Sequence, residues 1–437
     1  MLLEILMIII AIHVILYVLF SKNETLKKYN ISFIGPLITW RTKKGIYILK
    51  KIAKKKRFWN IFGKFSVGFC IVVMILMTLL LIWQVWMISD LTPEQKQLMP
   101  GPEIAFLVPG LNPILPLSFV GYIIFALFIG IVVHEGSHGI QVIVNKLKVK
   151  SLGVIYFIFP LGAFCEPNEE DLKKADKKIR MKVYAAGPAS NFIVVLISIF
   201  LLSFVFMSAV QPAADGVAVS VVIDGTPADE IGIKTGMIIT SVNDTEINNI
   251  NDFFNVLDNT QSNQNINISY VKSNQKFTKN IVLDDKYNYY KNQTFFGKGF
   301  LGVGPHTDQY SYKEFLSILK NPSRDFLIFF SLPVWGYMRG YNPIIEPFTD
   351  SYVITGPLGV IPTDMFWIIV NSLYWIFWLN LLLAMFNVLP IVPLDGGYIF
   401  KDVVEIFLGK KTAKKATIMI SLIIAILLIF PYMIKYI

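Results

Sequence analysis

Two histidines and a glutamate interrupt an otherwise apolar run, IVVHEGSHGI, at residues 131–140. Residues four apart on an α-helix lie on the same face, so His134 and His138 should project side by side. Two imidazoles in that arrangement can hold one zinc ion, and Glu135 beside them can act as a general base. The spacing therefore predicts a metal site with a proton acceptor next to it.

A third ligand is needed, because a catalytic zinc takes three protein ligands and keeps one position open for water. The segment NVLPIVPLDGG at 387–397 ends an uncharged run with Asp395, after two helix-breaking prolines. Asp395 is the candidate, although an aspartate there could also simply cap the next helix. Glu166, near another apolar stretch, is its competitor. His13 in the first apolar run and His306 in a polar region are poorer candidates.

The composition is that of a membrane protein: of 437 residues, 54% are hydrophobic and 16% are charged, against about a quarter charged in soluble domains. About 20 apolar residues cross a bilayer as a helix. A further apolar run, residues 326–338, is too short to cross, and the first run lacks a cleavage site and should be retained. The six predicted spans are Ile5–Phe20, Phe65–Ser89, Leu117–Val133 with the motif after it, Val183–Ala214, Met365–Leu394 and Ala416–Ile434.

Lysine and arginine predict the orientation, since they concentrate in cytoplasmic loops. Residues 22–64, 146–182 and 408–415 are basic, which places the N-terminus, residues 212–325 and the C-terminus outside. The net charge of +10 then reflects loops near acidic head groups, and no nucleic-acid partner is expected.

The region 215–320 is polar, and its short alternating runs VAVSVVI, GMIITSVN and NINISYVK predict strands of a small inserted domain. The Pro- and Gly-rich stretches IGPLITW (34–40) and FLVPGLNPILPLSFVG (106–121) are expected to be loops that dip into the membrane against protein. Two cysteines, Cys70 and Cys165, are too few for a disulfide framework.

The two motifs together resemble the site-2 protease family of intramembrane zinc metalloproteases. That family pairs HExxH with Asn-x-x-Pro-x-Pro-x-Leu-Asp-Gly, which Asn387 to Gly396 match except that the second proline is Pro393. YAAGPASNF resembles the family's Gly-x-x-x-Asn segment and supplies Gly187 and Asn191. ITGPLGV resembles a further signature, and the flanking sequence is closest to the archaeal and eukaryotic branches.

The resemblance implies hydrolysis of peptide bonds within transmembrane segments of membrane-protein substrates, as in regulated intramembrane proteolysis, with one Zn²⁺ per chain. Asn191 could equally serve a helix–helix hydrogen bond. The implied roles are zinc ligation by His134, His138 and Asp395, proton transfer by Glu135, and hydrogen bonding to substrate or its oxyanion by Asn191 and Asn387.

Residues 226–257, TPADEIGIKTGMIITSVNDTEINNINDFFNVL, resemble a PDZ domain, which implies a peptide or protein ligand; the alternative is a plain β-rich exterior domain. The predicted fold is an α-helical polytopic membrane protein of about six transmembrane helices with an inserted small β-rich PDZ-like domain. Its predicted parts are N-terminal helices and loops (1–116), the first half of a membrane core (117–211), the exterior region (212–325), the second half of the core (326–405) and a C-terminal helix (406–437).

Two other classes remain open at this point. A metal or proton transporter would also hold His, Glu and Asp in its spans. A catalytically inactive scaffold could bind membrane proteins through its exterior domain. The expected location is the cell membrane, with the metal site near the cytoplasmic side and the PDZ-like domain outside, and the expected partners are transmembrane substrates and the lipid bilayer.

Overall fold

The computed structural model describes residues 11–12, 14–15, 17–18, 26, 28–34, 37–97, 101, 104, 109–156, 160–272, 274–305, 311–340 and 342–433. Its α-helices are α1 (Ile46–Ile52), α2 (Lys56–Ser89), α3 (Pro93–Gln97), α4 (Val120–Val144), α5 (Glu169–Lys174), α6 (Lys177–Ile199), α7 (Pro227–Glu230), α8 (Ile250–Asp258), α9 (Tyr287–Tyr290), α10 (Tyr312–Lys320), α11 (Phe326–Arg339), α12 (Thr363–Asn387) and α13 (Asp395–Met433).

Its strands are β1 (Ile31–Ile34), β2 (Leu37–Thr42), β3 (Val149–Tyr156), β4 (Pro160–Pro167), β5 (Val210–Pro212), β6 (Val217–Val222), β7 (Ile238–Val242), β8 (Thr245–Glu246), β9 (Asn265–Lys272), β10 (Gln275–Val282), β11 (Asp284–Asp285), β12 (Gly299–Phe300), β13 (Val303–Pro305) and β14 (Tyr352–Ile354). Two compact units divide the chain: residues 1–106, 120–196 and 376–437 form the first, and residues 107–119 and 197–375 the second.

Five helical stretches among the described residues are long and apolar enough to cross a membrane. They are α2, the stretch Leu117–Val144 that ends with α4, the stretch Lys177–Ala209 that begins with α6, α12 and α13. The fold class predicted from sequence is therefore confirmed: a helical polytopic membrane protein with an inserted β-rich region. The predicted first span falls mostly on residues that lie outside the described ones. The run 326–338, predicted to be too short to cross, forms the short apolar helix α11.

The ends of the spans differ from the predicted ends where charged residues extend a helix or where a strand or prolines end it. Helix α2 begins at Lys56, nine residues before the predicted start, because lysine and arginine are good helix formers. The span that begins with α6 ends at Ala209 and not at Ala214, since residues 210–212 form strand β5, which pairs with β14. Helix α12 ends at Asn387, before the prolines.

The first unit contains an antiparallel sheet in the order β1-β2-β3-β4. This sheet corrects the prediction that IGPLITW is a membrane-dipping loop: the stretch forms strands on either side of residues 35–36, which are not described, and β2 pairs with β3 far along the chain. Cys165 on β4 packs with Leu49 of α1 and Ile140 of α4 in one buried cluster. The sheet is thereby fixed against the helix that carries HEGSH.

A buried ion pair joins α6 to α13 in the same unit. Arg180 donates from Nε to Asp402 Oδ2 at 2.9 Å, and Asp402 is only 3% exposed. Lys177 adds a longer contact to Glu405, at 3.6 Å between Nζ and Oε1. Since Asp402 lies about two turns after Asp395, this pair holds the start of α13 in register with α6.

The second unit contains the predicted inserted domain. Its antiparallel sheet has the order β10-β9-β7-β6-β13, with β8 paired to β7. The runs VAVSVVI, GMIITSVN and NINISYVK form β6, β7 and β9, as their alternation predicts. Helix α8 starts at a capping box in which Asn249 and Asp252 satisfy each other's backbone N–H groups. Phe253 of α8 packs with Ile239, Ile268 and other buried residues into one core.

Candidate metal centre

Helix α4 places both motif histidines at one point. His134 is buried and His138 is half-buried, and their ring centroids are 4.7 Å apart. Asp395, the first residue of α13, meets them: its Oδ2 lies 3.1 Å from Nε2 of His134 and 3.3 Å from Nε2 of His138. The three ligand atoms all lie within 4.8 Å of one another. This donor set, two imidazole nitrogens and one carboxylate oxygen, fits a catalytic zinc site.

The chain turns sharply before Asp395. Segment 388–394 is not helical, and the Gly397 N–H donates to Leu394 O at the start of α13. A side chain at Gly396 would collide with the Val388 backbone, and one at Gly397 would come within 2.7 Å of the Ile391 and Val392 backbone. The two glycines after the aspartate therefore allow the close backbone approach that directs Asp395 toward the histidines.

Each histidine has a second partner on α6. Nδ1 of His138 lies 2.6 Å from the carbonyl oxygen of Val183, so this nitrogen carries the proton and donates it. That contact fixes the tautomer and leaves Nε2 of His138 free to bind a metal.

The second partner of His134 is Asn191, whose amide Nδ2 lies 3.3 Å from Nδ1 of the ring. Asn191 is fully buried and its Oδ1 has no hydrogen-bond partner among the described residues. If the amide N and O of Asn191 are exchanged, Oδ1 accepts the Nδ1–H proton of His134, and Nε2 of that ring is left free to bind a metal. The position of the Asn191 side chain therefore favours a role in orienting His134 over a role in contacting substrate.

Gly187 lies directly against the ligand atoms. A Cβ added to Gly187 would come within 3.0 Å of Nε2 of both His134 and His138. These are the two nitrogens that face Asp395, so the missing side chain leaves the space that a bound ion would need. Gly187 and Asn191, one helical turn apart on α6, thus contact the same histidine from one face.

Glu135 is anchored by the sheet. Its Oε2 accepts a hydrogen bond from the backbone N–H of Cys165 on β4, at 2.8 Å. Its other oxygen, Oε1, has no hydrogen-bond partner within the described residues. The carboxylate is therefore oriented through one oxygen and able to take a proton on the other.

A cavity of about 270 Å³ connects these groups. Its lining includes Cys165, Asn387 and Pro393 together with the two histidines, Glu135 and Asp395. Asn387 donates from Nδ2 to the carbonyl of Leu383 on its own helix, at 2.9 Å, so that one of its two amide hydrogens is engaged. The structure brings five of the six candidate site residues to the cavity wall, with Asn191 behind His134.

Glu166, the competing ligand, belongs to a different cluster. Its carboxylate accepts from Lys150 at 2.7 Å and from Ser151 at 2.6 Å, and Arg41 lies 3.4 Å away. Partial burial opposes ionisation, but these partners outweigh it and hold the pKa of Glu166 below its usual value. Glu166 therefore faces cations and is not part of the metal-ligand group. His13 and His306 lie outside the described residues.

Three contributors to the site were not found from the sequence. The Val183 carbonyl and the Cys165 N–H are backbone groups, which carry no signal in residue type. The Arg180–Asp402 pair joins two residues that are 222 positions apart. Gly187 did stand in a quoted motif, but only the coordinates give the reason for it.

The inserted domain has matches among solved PDZ domains. The PDZ domain of an SdrC-like protein from Listeria monocytogenes is 20% identical, covers 22% of this chain and 93% of its own, and has a TM-score of 0.19. That of Listeria innocua is 22% identical, covers 21% and 94%, and has a TM-score of 0.18.

Two relatives are similar over most of the chain. A protein of Methanocaldococcus jannaschii, named "Uncharacterized protein", is 27% identical over 95% of this chain and 94% of its own length. A protein of Clostridium perfringens, named "Putative zinc metalloprotease", is 24% identical over 71% of this chain and 90% of its own length.

The model of peptidase family M50 matches residues 122–431, which include both motifs, the Gly187–Asn191 segment and the inserted domain. The match covers well over half of the chain. This protein therefore belongs to peptidase family M50, the site-2 protease family of polytopic membrane metalloproteases.

Proposed function

We propose that this protein is an intramembrane zinc metalloprotease that hydrolyses peptide bonds within transmembrane segments of other membrane proteins. The observation that carries the proposal is the meeting of His134, His138 and Asp395 within 4.8 Å, beside an anchored Glu135. These residues stand on helices long enough to cross a bilayer. Ionisable groups at such positions are costly unless they are paired or bind a metal.

His134, His138 and Asp395 would hold one Zn²⁺, and Val183 and Asn191 keep the imidazoles in the tautomer that exposes Nε2. When bound, zinc lowers the pKa of its water to about 7 and polarises a carbonyl group. Glu135 accepts the proton of the attacking water on Oε1 and later delivers it to the leaving amine. The Cys165 N–H holds Oε2, so that the carboxylate keeps one orientation during both transfers. Asn387, on the cavity wall, is the candidate to bind the substrate backbone or its oxyanion.

The test is cleavage of a transmembrane peptide by the purified full chain in neutral detergent. We expect cleavage that stops with a zinc chelator and returns when zinc is added back. The main alternative use of this cluster is transport. Vesicles that contain the reconstituted chain should therefore not accumulate zinc. Zinc uptake without any cleavage would assign the site to transport.

Asp395→Asn is expected to weaken zinc binding at least about 10-fold, with cleavage falling in parallel. The change keeps the shape of the side chain but removes the charge, and even indirect support of a metal site is worth about 10- to 100-fold in affinity. Glu166→Gln is the matched control, because Glu166 is occupied by Arg41, Lys150 and Ser151. Zinc titration of both variants decides: full affinity in Asp395→Asn with loss in Glu166→Gln would transfer the ligand role to Glu166.

Asn191→Leu is expected to weaken zinc binding by about 10- to 100-fold, because His134 loses the acceptor that orients its ring. Asn191→Asp keeps an oxygen for the His134 Nδ1–H and should retain most of the affinity. The two variants separate orientation from oxyanion binding, since an aspartate cannot donate to an oxyanion. Lost cleavage with unchanged zinc affinity in both variants would make Asn191 an oxyanion donor instead.

We further propose the orientation that the loop charges indicate, with the inserted domain outside the cell and the metal site near the cytoplasmic side. Cysteines introduced at the exposed residues Lys55 and Lys279 should react with an impermeant reagent from opposite sides of intact cells and inverted vesicles. The natural cysteines, Cys70 and Cys165, are buried and should give little background. Labelling of both introduced cysteines from the same side would refute this orientation.

The inserted domain is proposed to bind a peptide or protein segment, and its role in regulated proteolysis would be to select substrates. The support is its resemblance to PDZ sequences and the absence of any metal-ligand cluster among its described residues. The test is a screen of soluble peptides for binding to the purified full chain. A peptide that binds the chain would identify such a ligand.

A further inference from the structure

Five lysines of the first unit line one cavity beside the break in helix α13. The cavity has a volume of about 900 Å³, within the range of roughly 300–1,000 Å³ typical of ligand sites. Its cationic residues are Lys401, Lys410, Lys411, Lys414 and Lys415.

These lysines have no ion-pair partner among the described residues. The two carboxylates on the same stretch of helix, Asp402 and Glu405, are engaged by Arg180 and Lys177 of α6. Lys410, Lys411, Lys414 and Lys415 are exposed, and Lys401 is half-buried. Five like charges around one cavity repel each other, so the cavity has an unbalanced positive potential.

The break at Gly409 creates this arrangement. Gly409 has φ 80° and ψ 166°, values that only glycine adopts readily, and it lies between Lys401 and the other four lysines. An uninterrupted helix would continue straight through this point. With the break, both helical parts of α13 contribute to one wall of the cavity.

The remainder of the cavity wall is largely apolar. Val392, Ile418 and Leu422 line it, and they are 45%, 55% and 61% exposed. A soluble anion would have no use for that surface, whereas an anionic amphiphile would contact both parts. Basic pockets between transmembrane helices bind acidic lipid head groups in this way.

We propose that this cavity is a binding site for an anionic phospholipid, with the phosphate among the five lysines and an acyl chain against Val392, Ile418 and Leu422. The charge bias of loops accounts for lysines on one side of a membrane, but it does not account for their convergence on one apolar-walled cavity.

The bound lipid would lie against segment 390–394, which leads directly to the proposed zinc ligand Asp395. The Val392 N–H donates to Ser421 Oγ at 3.1 Å, and the Ser421 hydroxyl lies 3.4 Å from Pro390 O. Ser421 also lines the cavity. A lipid bound in the cavity would therefore stabilise the conformation of segment 390–394 and, through it, the position of Asp395. The lipid site itself does not depend on the proposed protease activity.

The test is titration of the purified full chain in neutral detergent with phosphatidylglycerol, with bound lipid counted by native mass spectrometry. Phosphatidylcholine with the same acyl chains is the neutral comparison. We expect one phosphatidylglycerol to bind at least 10-fold more tightly than phosphatidylcholine. Each lysine near an anionic surface is worth roughly fivefold in affinity. Replacing all five with glutamine should therefore weaken binding by at least roughly 30-fold, the value for two of them.

The matched control removes five exposed lysines from the basic segment 22–64 and changes the net charge by the same amount. We expect this variant to bind phosphatidylglycerol within about twofold of the unmodified chain. The control substitutions are Lys51→Gln, Lys54→Gln, Lys55→Gln, Lys56→Gln and Lys64→Gln.

Three results would overturn the proposal. Equal loss in the two variants would mean that only the overall charge matters. Equal affinity for the two lipids would remove the head-group requirement. Displacement of phosphatidylglycerol by an equal concentration of soluble glycerol phosphate, or of an acidic peptide, would assign the cavity to a soluble anion or to a protein segment.

Discussion

Glu135→Gln should reduce cleavage by about 10²- to 10⁴-fold while zinc remains bound, because a positioned general base contributes about that much. Glutamine has the same shape, and its amide oxygen can still accept the hydrogen bond from the Cys165 N–H. The substitution thus keeps the contact with β4 and removes only the ability to accept a proton. Cleavage rate and zinc content are measured on the same preparation.

His134→Ala is the contrasting variant, since it removes a proposed ligand and should lose zinc and cleavage together. The separation of the two effects is what distinguishes a base from a ligand. Equal loss of zinc in Glu135→Gln and His134→Ala would place Glu135 in the metal's coordination sphere. Unchanged cleavage in Glu135→Gln would remove it from the mechanism altogether.

The convergence of the two motifs could be anticipated from the sequence, because each carries its own signal. HEGSH has helical spacing, so His134 and His138 share a face without any tertiary information. Asp395 follows two prolines and precedes two glycines, which predicts a turn at the end of a span. The inserted domain was also visible, since strands β6, β7 and β9 alternate with period two.

The support around the site could not be anticipated, because it comes from backbone atoms and from strands distant in sequence. IGPLITW was predicted to be a loop, since proline and glycine punctuate it and its own hydrophobic pattern is short. Strand β2 pairs with its neighbour β1 and also with β3, which begins more than a hundred residues later at Val149, and that distant pairing leaves no signal in the local sequence. Because the sheet could not be predicted, the position of the Cys165 N–H that orients Glu135 could not be predicted either.

The structure also explains how so many ionisable groups can lie within membrane helices. Asp395 faces two histidines, and Asp402 faces Arg180. Each carboxylate on the buried side of α13 therefore has a cationic or metal-binding partner on another helix. Four of the five lysines of the cavity, Lys410, Lys411, Lys414 and Lys415, follow the Gly409 break and are exposed, whereas the half-buried Lys401 precedes it. The charged residues along α13 are thus divided among the group at Asp395, the ion pair of Asp402 and the lysine-lined cavity.

Gly187→Ala should abolish zinc binding, and cleavage with it, although it adds a single methyl group. The new Cβ would lie within 3.0 Å of Nε2 of both His134 and His138, in the space between the ligand atoms. Neither ring can retreat freely, because Val183 holds His138 and Asn191 contacts His134 through the opposite nitrogens. Alanine is otherwise a better helix former than glycine by about 1 kcal/mol, so α6 itself should not be destabilised.

Gly136→Ala is the matched control for this prediction. Gly136 lies between Glu135 and His138 in the motif itself, but a Cβ there would meet no atom within 4 Å beyond its chain neighbours and the backbone of its own helix. We expect Gly136→Ala to keep its zinc and its cleavage rate, and both variants to unfold at a temperature no lower than that of the unmodified apoprotein. Full zinc content in Gly187→Ala would show that the histidines can move apart. Loss of zinc in both variants, with lowered unfolding temperatures, would trace the effect to helix packing instead of to the space between His134 and His138.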